Sequence, residues 1–143
     1  MDDFDFDETI LGEPASGKNS RRIVSIGGKL RLIKSKKALA YTKMFNEQCP
    51  VLDPLIEGDV AVWLDVYYAS RRPDLATELI LDLLQDHVIK NDRQVKVIIS
   101  LWNLDREEPR CRIRVRRIES GNSTGLSSSK LSKILGIQSN EYL

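Results

Sequence analysis

The chain has little of what metal and disulfide chemistry draw on. Its 143 residues include two cysteines, Cys49 and Cys111, far apart and outside any CxxC, and one histidine, His87. A zinc site or a disulfide framework has almost no material here, and a reducing cytoplasm is the expected compartment. No apolar run approaches the roughly 20 residues of a membrane-spanning helix, so an integral membrane protein is not expected. The opening MDDFDFDETI is acidic where a secretory leader is basic and then apolar, so export is not expected either. GxxxxGK[ST], HExxH and GxSxG are all missing, so nucleotide hydrolysis, zinc proteolysis and α/β-hydrolase chemistry lack their signatures. What remains, 41% hydrophobic and 30% charged, fits one globular domain with a core of its own.

The net charge of +1 hides strong segregation. Residues 1–13 hold six acids and no base; residues 14–45 hold nine bases and no acid. Residues 46–108 hold thirteen acids against six bases, and residues 109–118 hold five arginines and no acid. Blocks of this purity point to a polyanionic partner, provided the basic blocks meet in space with acids between them.

Residues 1–17 predict a disordered acidic arm. SRRIVSIGGKLRLIKS predicts a hairpin, with Gly27-Gly28 supplying the positive φ angles of a tight turn. SKKALAYTKMFNEQCP predicts a helix capped by Ser35, with Ala38, Leu39, Thr42, Phe45 and Asn46 on one face and Pro50 ending it. VLDPLIEGD predicts a loop. DVAVWLDVYY predicts a strand with Val60, Val62, Leu64, Val66 and Tyr68 on one side. PDLATELILDLLQDHV predicts a second helix with Leu75, Leu79, Ile80, Leu83 and Leu84 buried. QVKVIISLW and CRIRVRRI predict an antiparallel pair of strands. The segment from 119 to 143 begins as a Ser-rich linker and ends in LSKILGI, a short amphipathic turn or two. The order predicts a single α+β domain with a mixed sheet and two main helices.

Two patterns carry candidate chemistry. Asp74, Glu78 and Asp82 fall at i, i+4 and i+8, on one face if the second helix starts at Asp74, and Asp92 follows in a turn. Like charges at that spacing repel by a few tenths of a kcal/mol, which solvent, an arginine or a divalent cation offsets. Hard oxygen ligands converging near a phosphate suit Mg²⁺. On pattern alone the plainer reading, a solvated face balanced by Arg71, Arg72, Lys90 and Arg93, is favoured. The second pattern is Arg110, Arg112, Arg114 and Arg116, four guanidinium groups on one face of a strand. Such a stripe suits a phosphate backbone, the reading favoured for four arginines with no acid between them; the alternatives are a solvated sheet face or pairing with Asp65 and other acids on neighbouring strands. Lys18, Arg21 and Arg22 suit an arm that wraps nucleic acid, or a basic linker. His87 is expected at a helix carbonyl end, both cysteines in packing roles, and Trp63 and Trp102 in the core or a dimer interface.

The run RRPDLATELILDLLQDHVIKNDRQVKVI resembles the RusA family of Holliday junction resolvases, Mg²⁺-dependent endonucleases of phages and bacteria. The family carries a D-x-D pair before a helix, an Asp inside that helix, and an ND/DD-x-Q-V turn leading into a strand. Asp74, Asp82 and Asn91-Asp92-Arg93-Gln94-Val95 match, and Lys18–Lys37 followed by Ala38-Leu39-Ala40-Tyr41 is similar to the family's N-terminal region. The likeness spans residues 18–118. It implies a RusA-like homodimer that cuts four-way junctions in recombination and repair, in a bacterial or phage-infected cytoplasm. It also implies Mg²⁺ (or Mn²⁺) on Asp74 and Asp92, with Asp82 as a further ligand. Ala76 departs from the pattern, standing where the family has its second aspartate; the family's helical lysine is not evident, and Glu78 lies in its region. Metal-assisted hydrolysis is therefore expected to be impaired, by natural degeneration or by a replacement that holds DNA without cutting it. The alternative is a dead junction-binding protein or a nuclease-fold interaction module. DNA contacts are expected from Lys18, Arg21, Arg22, Lys29, Arg31, Lys34, Lys36, Lys37, Arg71, Arg72, Arg93, Arg110, Arg112, Arg114 and Arg116. The acidic arm is a candidate DNA mimic or docking peptide for a replication or recombination protein.

Overall fold

The computed structural model describes residues 4–15 and 21–119. LSKILGI and Lys18 lie outside the described residues. The chain is α+β: β1 (Phe6–Leu11), β2 (Arg21–Ile26), β3 (Lys29–Lys34), α1 (Lys36–Gln48), β4 (Val60–Tyr68), α2 (Glu78–Leu84), a 3-10 turn (Asp92–Gln94), β5 (Val95–Leu104) and β6 (Arg110–Arg117). Four strands form a mixed sheet in the order β1-β6-β4-β5, and β2-β3 forms a separate hairpin. Among the described residues, no helix is long and apolar enough to cross a membrane.

β4 sits inside the sheet because it is apolar on both sides. All but two of its nine residues are buried, and a strand with two buried faces belongs in the middle. It pairs antiparallel with β6 and parallel with β5, whose crossover is α2. The expected β5–β6 pair is therefore corrected: β4 lies between them, although the connection from Leu104 to Arg110 is short.

The acidic arm needs a correction too. Residues 6–11 are ordered as β1, antiparallel to β6 from Phe6↔Val115 to Leu11↔Arg110, so the domain starts well before residue 18. Phe6 and Ile10 enter the core, where burial stabilises by roughly 1.5–3 kcal/mol per large apolar side chain. Gly12 then turns the chain with φ +111°, and a Cβ there would stand 2.2 Å from the Met44 methyl of α1.

The helices cover one sheet face. Ser35 caps α1 as expected, its hydroxyl accepting from the Ala38 N–H at 3.2 Å. The buried stripe of α1 is Ala38, Tyr41 and Phe45; Leu39 and Asn46, expected beside them, are exposed. α2 buries Leu79, Ile80, Leu83 and Leu84 as expected. It begins at Glu78, however, so Asp74 and Leu75 are not helical and Leu75 is exposed. The three-acid helix face is thereby reduced to Glu78 and Asp82, both exposed.

Candidate nucleic-acid interface

The Asp74 loop is shaped by two side chains from the ends of the parallel strands. The Tyr68 hydroxyl donates to the Asp74 carbonyl at 3.1 Å and accepts from the Ala76 N–H at 3.2 Å. Trp102 Nε1 donates to the Pro73 carbonyl at 2.9 Å. A helix starting at Asp74 would need that Asp74 carbonyl for Glu78, so the clasp is why α2 starts late. Burial pushes the Tyr68 hydroxyl upward in pKa, with the charges of Glu13 and Asp74 adding to it, so it stays a neutral donor. Ala76 is buried beneath the loop, while Asp74, Arg71 and Arg72 are exposed.

Glu13, which the sequence reading passed over, ties this end together. Its carboxylate accepts from the Ala69 N–H at 2.9 Å and pairs with Lys37 Nζ at 3.6 Å. The segment after β1, the end of β4 and the start of α1 therefore converge. Exposed Lys36, Lys37, Arg71 and Arg72 share that end with Asp74, and the hairpin carrying exposed Lys29 and Arg31 runs directly into α1. For Arg21, Arg22 and Lys34 the structure describes backbone only, in the hairpin register Arg21↔Lys34 and Arg22↔Ile33.

Asp92 stands elsewhere. Its turn is held by Gln94, whose Oε1 accepts from the Lys90 and Asn91 N–H groups and whose Nε2 donates to the carbonyls of Ile56 and Gly58. Asn91 Oδ1 caps the turn from the Arg93 N–H at 2.8 Å. Asp92 and Arg93 are left exposed. This turn precedes β5, at the Val60 end of β4, whereas the Asp74 loop is clasped at the Tyr68 end. The nine residues of β4 span eight steps between the two ends, roughly 26 Å at about 3.3 Å per step. The expected convergence of Asp74, Asp82 and Asp92 does not occur within one chain, because a parallel crossover starts and finishes at opposite ends of its strands. Among the described residues, no group of three or more His, Cys, Asp or Glu side chains is placed to hold a metal ion.

The arginine stripe takes the paired alternative. Arg112 binds Asp7 of β1 with both fork positions, Nε to Oδ1 at 3.0 Å and Nη2 to Oδ2 at 2.7 Å. Arg114 Nη2 donates to Asp65 of β4 at 3.1 Å, with its guanidinium carbon 5.1 Å from the Phe4 ring centre. Phe4 in turn stands edge-on to Trp63. Arg110 Nη1 donates to Asp105 at 2.7 Å, and its guanidinium carbon lies 3.8 Å from the Tyr67 ring centre. Arg116 lines an open depression with Asp5, Asp59 and Arg117. Hydrogen bonding from Arg112 holds the Asp7 carboxyl below its usual range, and Arg110 does the same for Asp105. Across the open sheet face, acids from β1, β4 and the loop after β5 thus neutralise three of the β6 arginines.

No protein-family model matches the chain, and no curated protein matches it.

The remaining residues expected to be inert sit in the fold. His87 follows α2, its N–H bonding the Leu84 carbonyl, and its ring packs edge-on to Phe45 with Nε2 at 3.0 Å from Asn46 Oδ1, against the last turn of α1. Burial pushes the Cys49 and Cys111 thiols up to about 12.

Proposed function

We propose that the chain is a branched-DNA protein of the RusA type, a junction endonuclease whose hydrolytic step is impaired by Ala76. The observation that carries this reading is the clasped Pro73–Thr77 loop, with exposed Asp74 at the end of the fold where the segments carrying exposed Lys36, Lys37, Arg71 and Arg72 meet. Bases there attract phosphate, and a carboxylate among them suits a divalent cation bridging protein and phosphate. Asp74 and an aspartate at position 76 would hold Mg²⁺ or Mn²⁺. The ion would polarise the scissile phosphate and lower the pKa of an attacking water. Asp92, at the other end of β4, would reach the same ion only from a second copy, so the homodimer implied by the resemblance is part of the proposal. Two active sites related by two-fold symmetry suit the paired strands of a four-way junction. The alternative, a binding protein without catalysis, is favoured by Ala76 itself.

The test is Ala76→Asp. Position 76 is 8% exposed, so an aspartate there is desolvated unless a cation pairs with it. The variant should melt lower than the parent without metal, recover with millimolar Mg²⁺ or Mn²⁺, and cut synthetic four-way junctions. The parent should bind them in a salt-dependent way and cut little. A parent that ignores branched DNA at low salt refutes the proposal. A metal-indifferent Ala76→Asp variant that still binds junctions refutes the metal assignment.

A further inference from the structure

We infer that the β2–β3 hairpin is a basic ribbon with an apolar tip that wedges into duplex nucleic acid at a branch point. The inference rests on the branched-DNA reading and names the element that would tell a branch from a continuous duplex.

The hairpin forms a sheet of its own, in register from Arg21↔Lys34 to Ile26↔Lys29. At its tip Leu30 is 79% exposed, more than any other large apolar residue among those described, and Ile26 is 52% exposed. Antiparallel partners share a face. Ile26 is opposite Lys29 and Leu30 is opposite Ser25, so the two apolar side chains project from opposite faces of the ribbon. Gly27 and Gly28 between them have φ of +58° and +77° and no side chain to thicken the turn. The result is a thin end with one exposed aliphatic side chain on each side.

Charge identifies the occupant. Residues 14–45 contain nine bases and no acid, and exposed Lys29 and Arg31 stand beside the tip. That excess complements a phosphate backbone. A two-stranded ribbon fits the major groove, and an aliphatic side chain pressed into a base step unstacks and kinks it at a cost of a few kcal/mol. Where bases are already poorly stacked, at a branch, the cost is smaller. The wedge therefore prefers junctions without reading sequence.

The experiment uses the full chain, a synthetic four-way junction with 2-aminopurine at the branch, and a linear duplex of matched length. The parent should prefer the junction and raise 2-aminopurine fluorescence. The double variant Ile26→Ser/Leu30→Ser should lose the fluorescence rise and about tenfold of junction affinity, the effect of one buried aliphatic side chain, with its salt slope intact. Lys29→Ala/Arg31→Ala should instead weaken both DNAs alike and lower the log–log salt slope by about 2. Circular dichroism checks that each variant folds. If Ile26→Ser/Leu30→Ser matches the parent in junction affinity and fluorescence, the wedge is overturned while junction binding stands. If the parent binds neither DNA, both readings fall. Binding to anionic vesicles in place of DNA, lost in the same double variant, would reassign the tip to a lipid surface and overturn the inference.

Discussion

Two ion pairs on the open sheet face should differ in worth in the order opposite to their geometry. Arg112–Asp7 has two short hydrogen bonds, but its side chains are 42% and 38% exposed. Arg114–Asp65 has one contact at 3.1 Å, yet its side chains are 20% and 15% exposed, and Arg114 Nε is buried without a partner. Solvent screens the first pair, which should contribute below about 1 kcal/mol. Removing Asp65 strands a largely desolvated guanidinium; breaking a fully buried pair costs about 3–5 kcal/mol, and residual exposure reduces this to about 2–3. For a domain of this size 1 kcal/mol moves Tm by roughly 3–5 °C. Asp65→Ala should therefore lower Tm by about 6–15 °C, and Asp7→Ala by less than about 5 °C. Double-mutant cycles with Arg114→Ala and Arg112→Ala, read by urea unfolding, isolate the pair terms. About 0.5 M NaCl should erase the Asp7 effect and spare most of the Asp65 effect. The apolar pair Asp65→Val/Arg114→Leu should lose much less than Asp65→Ala alone, since no charge is left stranded. If Asp7→Ala costs as much as Asp65→Ala, or salt abolishes both effects, burial is not what ranks these pairs.

Gln94→Ala removes four hydrogen bonds that fix the turn before β5 and should destabilise by about 2–4 kcal/mol; Gln94→Glu, which keeps only the acceptors, should fall between it and the parent. Acid titration checks the carboxyls: Asp7 and Asp105 are held below their ordinary 3.8 by Arg112 and Arg110, so their contribution is complete above about pH 5 and is lost as pH falls through the lowered values. Asp7→Asn and Asp105→Asn should flatten the loss of Tm below about pH 4. The thiols of Cys49 and Cys111, pushed to about 12 by burial, should resist iodoacetamide at pH 8 in the folded chain and react once urea unfolds it.

Much of this fold was legible where local chemistry and burial agree. The alternation of Val60–Tyr68, the Gly27-Gly28 turn and the Ser35 cap each predict what forms. β1 was missed because acid content argued for disorder. Its signal was present in another form: Phe6 and Ile10 spaced for one face, and Asp7 on the other, where it meets Arg112. The start of α2 was not legible, since the competitors for its first carbonyls, Tyr68 and Trp102, come from other elements. Adjacency in sequence suggested β5 against β6, and the double-sided burial of β4 overruled it. For the site, motif matching singled out Asp74 and Asp92 as residues, but distance along a parallel crossover is invisible to a motif. Glu13 carries no local pattern that marks it as the tie between β4 and α1.

The neutralised sheet face also sets how the molecule moves in an electric field. Asp7, Asp65 and Asp105 cancel three arginines of β6, whereas residues 21–45 hold eight bases and no acid, so charge is unevenly spread along a chain of net charge +1. Near a phosphate-rich surface so uneven a charge should orient the molecule before contact, hairpin first. Its association rate should fall steeply with ionic strength while dissociation changes far less, and reversing Lys29 and Arg31 to Glu should slow arrival more than it hastens departure.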